Sequence, residues 1–316
     1  MFDAKTPTAS DPGTASMCVL CNPQSGKKDA RSACDGLARM FEARGLSPDM
    51  VELDPDIDLS ATVREVVGKG YDTVVAAGGD GTICGVAQAL KGTKTRMGIL
   101  PCGTFNYFAR SLGIPQDVEE AAEIIAAGHT HALRVAMLND KVFLNNANFG
   151  LYPHILRSRE EIYQFWGRSR AAAYWSAIKV LFRWPRPLEM EIIANGQPAS
   201  VRTPLVFAIN NAFQLNEMGL DGVDCIEDGK MVLMIAPNCG RLGMIRSALA
   251  VLTGKAERDR DFHMICGDDI ELRAGGKKLL VARDGERTRM PGPFRLTLSR
   301  EPLDVIVPGD FGNTVR

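Results

Sequence analysis

The chain has 316 residues, 45% of them hydrophobic and 24% charged, with a formal net charge of -1. That length and composition suit two globular domains with a core each and exclude a wholly disordered chain. The near-neutral balance gives no whole-protein reason to expect nucleic acid as a partner. No apolar run approaches the ~18–20 residues needed to span a bilayer, so no transmembrane segment is expected.

Residues 1–15 are rich in Thr, Pro, Ser, Asp and Gly, which predicts a disordered tail, and no secretory signal is read at its start. Met17 to Cys21 then reads as a strand, broken by Asn22-Pro23-Gln24-Ser25-Gly26-Lys27-Lys28 and followed by a helix from Asp29 to Arg44. A strand near Met50 to Leu53, a helix near Leu59 to Lys69 and a strand from Thr73 to Ala77 come next. The run Gly78-Gly79-Asp80-Gly81-Thr82 breaks that strand, and a helix from Ile83 to Leu90 follows. Arg96 to Leu100 is a further strand; it breaks at Pro101-Cys102-Gly103-Thr104 into a helix running to Leu112, and another helix covers Val118 to Ala127. Strands alternating with helices predict an open parallel α/β sheet. The turns at 22–28, 78–82 and 101–104 then fall at the carboxyl ends of strands, where such sheets bind ligands.

After His131 the segments shorten, turn β-rich and are punctuated by Gly, Pro and Asn, which predicts an antiparallel sandwich or barrel. Helical inserts are expected near Ile155 to Phe182 and Leu242 to Thr253. The expected organisation is a tail at 1–15, a nucleotide-binding α/β domain at 16–131 and an all-β domain at 132–316. The final residues of the last are free to return to the first domain.

The turn at 78–82 joins a buried strand to a helix, so its backbone N–H groups can converge on an anion in front of the helix dipole. It is not a dinucleotide fingerprint, since no glycine follows three residues after Gly81. A carboxylate such as Asp80 beside a phosphate nest suits a Mg²⁺–nucleotide or a transferring phosphoryl group better than a redox cofactor. Ser25-Gly26-Lys27-Lys28 lacks the Gly at Cys21 and the Ser/Thr at Lys28 that a Walker A loop needs. Asn22 and Ser25 offer an amide and a hydroxyl for phosphate or ribose, and the same turn also reads as a serine-capped helix start. Gly103, Thr104 and Asn106 carry the same double reading. Asp284-Gly285-Glu286 is either a simple hairpin turn or a pair of acids, one of which takes a proton from a hydroxyl nucleophile. The eight cysteines are scattered. Cys18 and Cys21 have CxxC spacing without a second pair, which predicts buried thiols in a reducing cytoplasm.

Four motifs in this order resemble the diacylglycerol kinase catalytic-domain family, which includes bacterial lipid kinases and the sphingosine and ceramide kinases. They are Asn22-Pro23-x-Ser25-Gly26, Gly78-Gly79-Asp80-Gly81-Thr82, Pro101-x-Gly103-Thr104-x-Asn106-x-Phe108-Ala109-Arg110 and Asp284-Gly285-Glu286. The resemblance implies an N-terminal α/β domain, a C-terminal β-sandwich, ATP in the cleft between them, and transfer of its γ-phosphoryl to a lipid hydroxyl. It assigns Asn22, Pro23, Gln24, Ser25, Gly26, Gly78, Gly79, Asp80, Gly81, Thr82, Ile83, Cys84, Gly103, Thr104 and Asn106 to the nucleotide. Glu286 becomes the proton acceptor, with Asp284 beside it and Asp80 as a third catalytic acid. It also implies a structural Mg²⁺ on the Asp228 carboxylate with the carbonyls of Cys225 and Lys230. Tyr107 departs from the family, where an acid is common, and leaves diacylglycerol, ceramide and sphingoid acceptors open.

A lipid kinase needs an interface. The stretch 155–186 interleaves seven Lys/Arg with aromatic residues, including all three tryptophans. It reads either as a peripheral contact of a cytoplasmic protein with the anionic inner face of the membrane or as a helix packed on the sandwich. The alternatives to a lipid kinase are a soluble kinase of the NAD kinase type and a binding protein without catalysis. Oligomeric state is not legible.

Overall fold

The computed structural model describes residues 16–23, 30–54, 58–153, 156, 187–252, 261–276 and 278–311. The expected tail at 1–15, the positions Gln24, Ser25 and Gly26, and the basic aromatic stretch from 157 onward lie outside the described residues. The chain divides into two compact units, one of residues 1–134 with 300–316 and the other of 135–299.

The first unit is built on β1 (Met17–Cys21), β2 (Asp49–Glu52), β3 (Thr73–Gly78) and β4 (Arg96–Pro101). Between them run α1 (Ala30–Glu42), α2 (Leu59–Gly68) and α3 (Asp80–Leu90). After β4 come α4 (Tyr107–Ser111), α5 (Val118–Ala127) and β5 (Thr130–Leu133). The sheet order is β2-β1-β3-β4-β18-β5, with β18 being Leu303–Ile306. Strands β2, β1, β3 and β4 pair parallel, as the alternation of strands and helices predicts. Every residue of β3 is buried, which is how a central parallel strand covered on both faces reads. Near the end of the expected all-β stretch, β18 pairs parallel to β4 and antiparallel to β5, the return to the first domain that the sequence leaves open. Its alternation marks it as a strand but carries no information about which sheet it joins.

The second unit holds two antiparallel sheets. The first, in the order β10-β9-β14-β17-β6-β7, contains β6 (Ala136–Leu138), β7 (Lys141–Phe143), β9 (Leu188–Ala194), β10 (Gln197–Thr203), β14 (Asp269–Ala274) and β17 (Phe294–Leu298). The other, in the order β13-β12-β11-β8-β15-β16, contains β8 (Asn146–Gly150), β11 (Leu205–Ile209), β12 (Met231–Ile235), β13 (His263–Gly267), β15 (Leu279–Arg283) and β16 (Glu286–Met290). Alternate residues of both sheets share one core: Leu138, Ile192, Ile270 and Leu296 from the first meet Ala147, Val206, Leu233 and Val281 from the second. Phe149 and Phe294 close it with an edge-to-face contact at 5.1 Å. Helices α6 (Ala212–Glu217), α7 (Val223–Glu227) and α8 (Gly240–Leu252) interrupt the strands. The fold is therefore α/β plus an all-β sandwich, as expected. No helix among the described residues is long and apolar enough to cross a membrane.

Candidate functional site

In the first unit the three turns lie at the carboxyl ends of β1, β3 and β4, which are sheet neighbours in that order. They are tied to one another. The Asn22 backbone N–H donates to the Ala77 carbonyl at 2.9 Å, and its side-chain amide donates to the Thr82 hydroxyl at 2.8 Å. The Cys102 N–H donates to the Gly78 carbonyl at 2.9 Å.

Glycine is required here for a packing reason. A Cβ on Gly103 would stand 2.5 Å from the Gly79 Cα, and a Cβ on Gly78 would stand 2.6 Å from the Thr82 Cβ. The turns after β3 and β4 thus touch backbone to backbone. Gly79 is the extended N-cap residue of α3 and supplies no side chain to cap it. The helix therefore presents its first N–H groups to whatever lies in front of the turn.

Asn106 builds the turn. It is 2% exposed and left-handed at φ 51°. Its Oδ1 accepts the Gly103 N–H at 3.0 Å, while its Nδ2 donates to the Gly103 carbonyl at 3.1 Å and to Gln116 Oε1 at 2.9 Å. Thr104 is exposed at the surface of the same turn. Asp80 accepts the Phe108 N–H at 3.4 Å, so its carboxylate engages the first turn of α4 and not only its own loop. Ile83 is fully buried behind the turn, and Cys84 is half-buried. Cys102 is free, and burial pushes its thiol up to about 11.

The cysteine expectation needs correcting. Cys18 is a buried thiol, raised to about 12 by burial first and by the nearby Asp49 carboxylate second. Cys21, however, is joined to Cys34 of α1 in a disulfide, and Cys225 is joined to Cys266. The CxxC spacing is silent about this because both partners lie on other elements.

In the second unit the two acids of Asp284-Gly285-Glu286 have different environments. Asp284 is left-handed at φ 44° at the tip of the β15–β16 hairpin. Its carboxylate accepts the backbone N–H groups of Leu144 at 2.7 Å, Asn145 at 2.8 Å and Asn146 at 2.9 Å. A carboxylate holding three amide donors is a fixed anchor, not a base open to a substrate proton. Glu286, the first residue of β16, is exposed.

Sequence reasoning overlooked the buried amides that steady this anchor. Asn146 donates to Gln214 Oε1 at 2.9 Å, Asn148 to Asn146 Oδ1 at 2.7 Å, and Asn211 to Asn145 Oδ1 at 2.7 Å. Oδ1 of Asn148 is buried without a hydrogen-bond partner among the described residues. A signal was available: Asn-Asn-Ala stands at 145–147 and again at 210–212, inside strand-forming apolar sequence.

The magnesium expectation finds little support. Asp228 lies 3.5 Å from the Lys230 ammonium, and the Cys225 carbonyl already accepts the Lys230 N–H at 2.9 Å. Mg²⁺ demands a near-octahedral oxygen shell. One carboxylate facing a cation and the two carbonyls of Cys225 and Lys230, the first already engaged, fall short of that shell. No group of three His, Cys, Asp or Glu side chains suited to a metal occurs among the described residues.

Comparison with known proteins agrees with this picture. Residues 16–138 match the diacylglycerol kinase catalytic domain. A Bacillus subtilis protein named diacylglycerol kinase is 27% identical over 286 residues, covering 87% of this chain and 91% of its own. Among solved structures, a diacylglycerol kinase from Bacillus anthracis superposes with a TM-score of 0.67 at 18% identity, over 94% of this chain and 98% of that one. An NAD kinase from Archaeoglobus fulgidus in complex with ATP shares the fold more distantly, with a TM-score of 0.53 at 13% identity, over 94% of this chain and 96% of that one. The chain is therefore similar to the diacylglycerol kinase catalytic domain over residues 16–138 and shares the fold of these solved structures over most of its length.

Proposed function

We propose that the protein is an ATP-dependent lipid kinase, moving the γ-phosphoryl group to the hydroxyl of a diacylglycerol, ceramide or sphingoid lipid. The observation that carries this reading is the backbone-to-backbone contact of Gly79 with Gly103 at the carboxyl ends of adjacent parallel strands. It leaves room only for main chain around an anion-seeking helix start, an arrangement suited to phosphates. The domain match and the relatives named diacylglycerol kinase supply the reaction class.

In this reading the N–H groups of Asp80, Gly81 and Thr82 hold the nucleotide phosphates, and Asn22 and Thr104 bound the site. Bound with the nucleotide, Mg²⁺ would supply charge neutralisation on the phosphates. Glu286 accepts the proton of the lipid hydroxyl as its oxygen attacks phosphorus in line and ADP departs. Asp284 holds the hairpin that presents Glu286. The lipid is met at an anionic membrane surface by peripheral contact.

A second reading, a kinase for a soluble acceptor such as NAD, rests on the shared fold of the Archaeoglobus fulgidus NAD kinase. Incubating the protein with labelled ATP and diacylglycerol, ceramide, sphingoid base, NAD or no acceptor separates the two. Label in lipid is expected; label in NADP alone overturns the lipid reading, and no label in any acceptor overturns both.

A further inference from the structure

Three large apolar side chains are exposed among the described residues: Leu242, Ile245 and Phe105. Leu242 and Ile245 sit on α8, whereas Phe105 belongs to the candidate site. The residue is 57% exposed, yet its ring lies parallel to the Tyr107 ring, with centroids 5.7 Å apart and planes within 3°. The backbone around the pair is hydrogen-bonded. Asn106, between the two rings in sequence, is buried and bound to Gly103 and Gln116. The Phe105 carbonyl accepts Arg110 Nε at 2.9 Å, and the Phe108 N–H donates to Asp80. A rigid aromatic face kept in water, one residue from a turn that the reading above gives to phosphate, is costly without an occupant.

We propose that the Phe105–Tyr107 pair selects the phosphoryl acceptor, seating the hydrocarbon that adjoins its reacting hydroxyl. This rests on the lipid kinase reading and names which part of the first unit recognises the lipid. Two arguments favour the acceptor over the adenine base as occupant. The Asp80 carboxylate accepts the Phe108 N–H next to the rings, which puts an acceptor for an alcohol proton within one residue of them. The Phe105 ring has no polar atom, and the Tyr107 ring adds a second apolar surface with a single hydroxyl, so the face suits an aliphatic chain with one polar linkage. Both residues are specificity-determining; neither takes part in the bond changes.

The experiment is steady-state kinetics of the full chain with dioctanoylglycerol in mixed micelles, varying acceptor and ATP separately. For Phe105→Ala the acceptor KM is expected to rise roughly fivefold to tenfold. The KM for ATP and the thermal midpoint should hold, and Phe105→Leu should recover most of the loss. Tyr107→Ala is expected to raise the acceptor KM likewise by removing the second ring. An unchanged acceptor KM in Phe105→Ala overturns the proposal. So does a rise confined to the KM for ATP, which would make the pair a base-stacking platform. If the wild type phosphorylates no lipid, the kinase reading and this proposal fall together; if it does and the variants match it, only the proposal falls.

Discussion

Asp284 and Glu286 are two residues apart and chemically alike, yet the structure gives them different work. Asp284 spends its charge on three backbone N–H groups. Replacing it by Asn leaves one acceptor oxygen and turns an NH₂ group toward the donors. Asp284→Asn is therefore expected to lower stability by about 2–3 kcal/mol, checked by urea unfolding. Glu286 is exposed, and the same exchange there should leave the unfolding midpoint in place. Gly103 makes a second prediction at this scale. In Gly103→Ala the new Cβ meets the Gly79 Cα at 2.5 Å, so backbone must move. Calorimetric titration should show ATP affinity down by roughly tenfold or more and stability down by about 1–3 kcal/mol. The sequence made the glycines legible as an anion turn but not as touching partners, because a contact between residues 79 and 103 is a property of strand adjacency. The turn-building role of Asn106 was not legible for a related reason: a buried left-handed amide and a ligand-binding amide look identical in a string of letters.

At the scale of the element, β1 carries a pH-sensitive residue in a buried setting. Burial raises Cys18 from 9.0 to about 12. Its strand partner Asp49 accepts a hydrogen bond from Tyr71, whose phenol is raised as well, by burial first and the Asp49 bond second. A group with a folded-state pKa above its unfolded value adds stability that is complete below the unfolded pKa and is lost as pH climbs toward the folded one. The first unit should accordingly weaken between about pH 9 and 12. Urea midpoints measured from pH 8 upward test this: Cys18→Val is expected to shallow the decline, and a flat wild-type profile would contradict the linkage. Elements were the most legible level of this chain. Strands β1 and β3 and the helices behind them follow directly from apolar runs ended by Gly and Pro. Pairings were not, as the placement of β18 beside β4 and the Cys21–Cys34 bridge illustrate.

For the whole molecule, one polypeptide supplies a phosphate-type turn set from a parallel sheet and a carboxylate hairpin from an antiparallel sandwich. The fold class was legible because hydrophobic period and turn chemistry changed near residue 131. Substrate identity was not, since acceptor recognition depends on side chains brought together by the fold, of which Phe105 and Tyr107 are the clearest pair. The central claim is that Glu286 takes the proton from a lipid hydroxyl while the glycine turns hold ATP. Its most direct test is Glu286→Gln, assayed for phosphoryl transfer to diacylglycerol beside calorimetric titration with ATP. Turnover is expected to fall about 10²- to 10⁴-fold with ATP affinity within about twofold of wild type; wild-type turnover in that variant would contradict the claim.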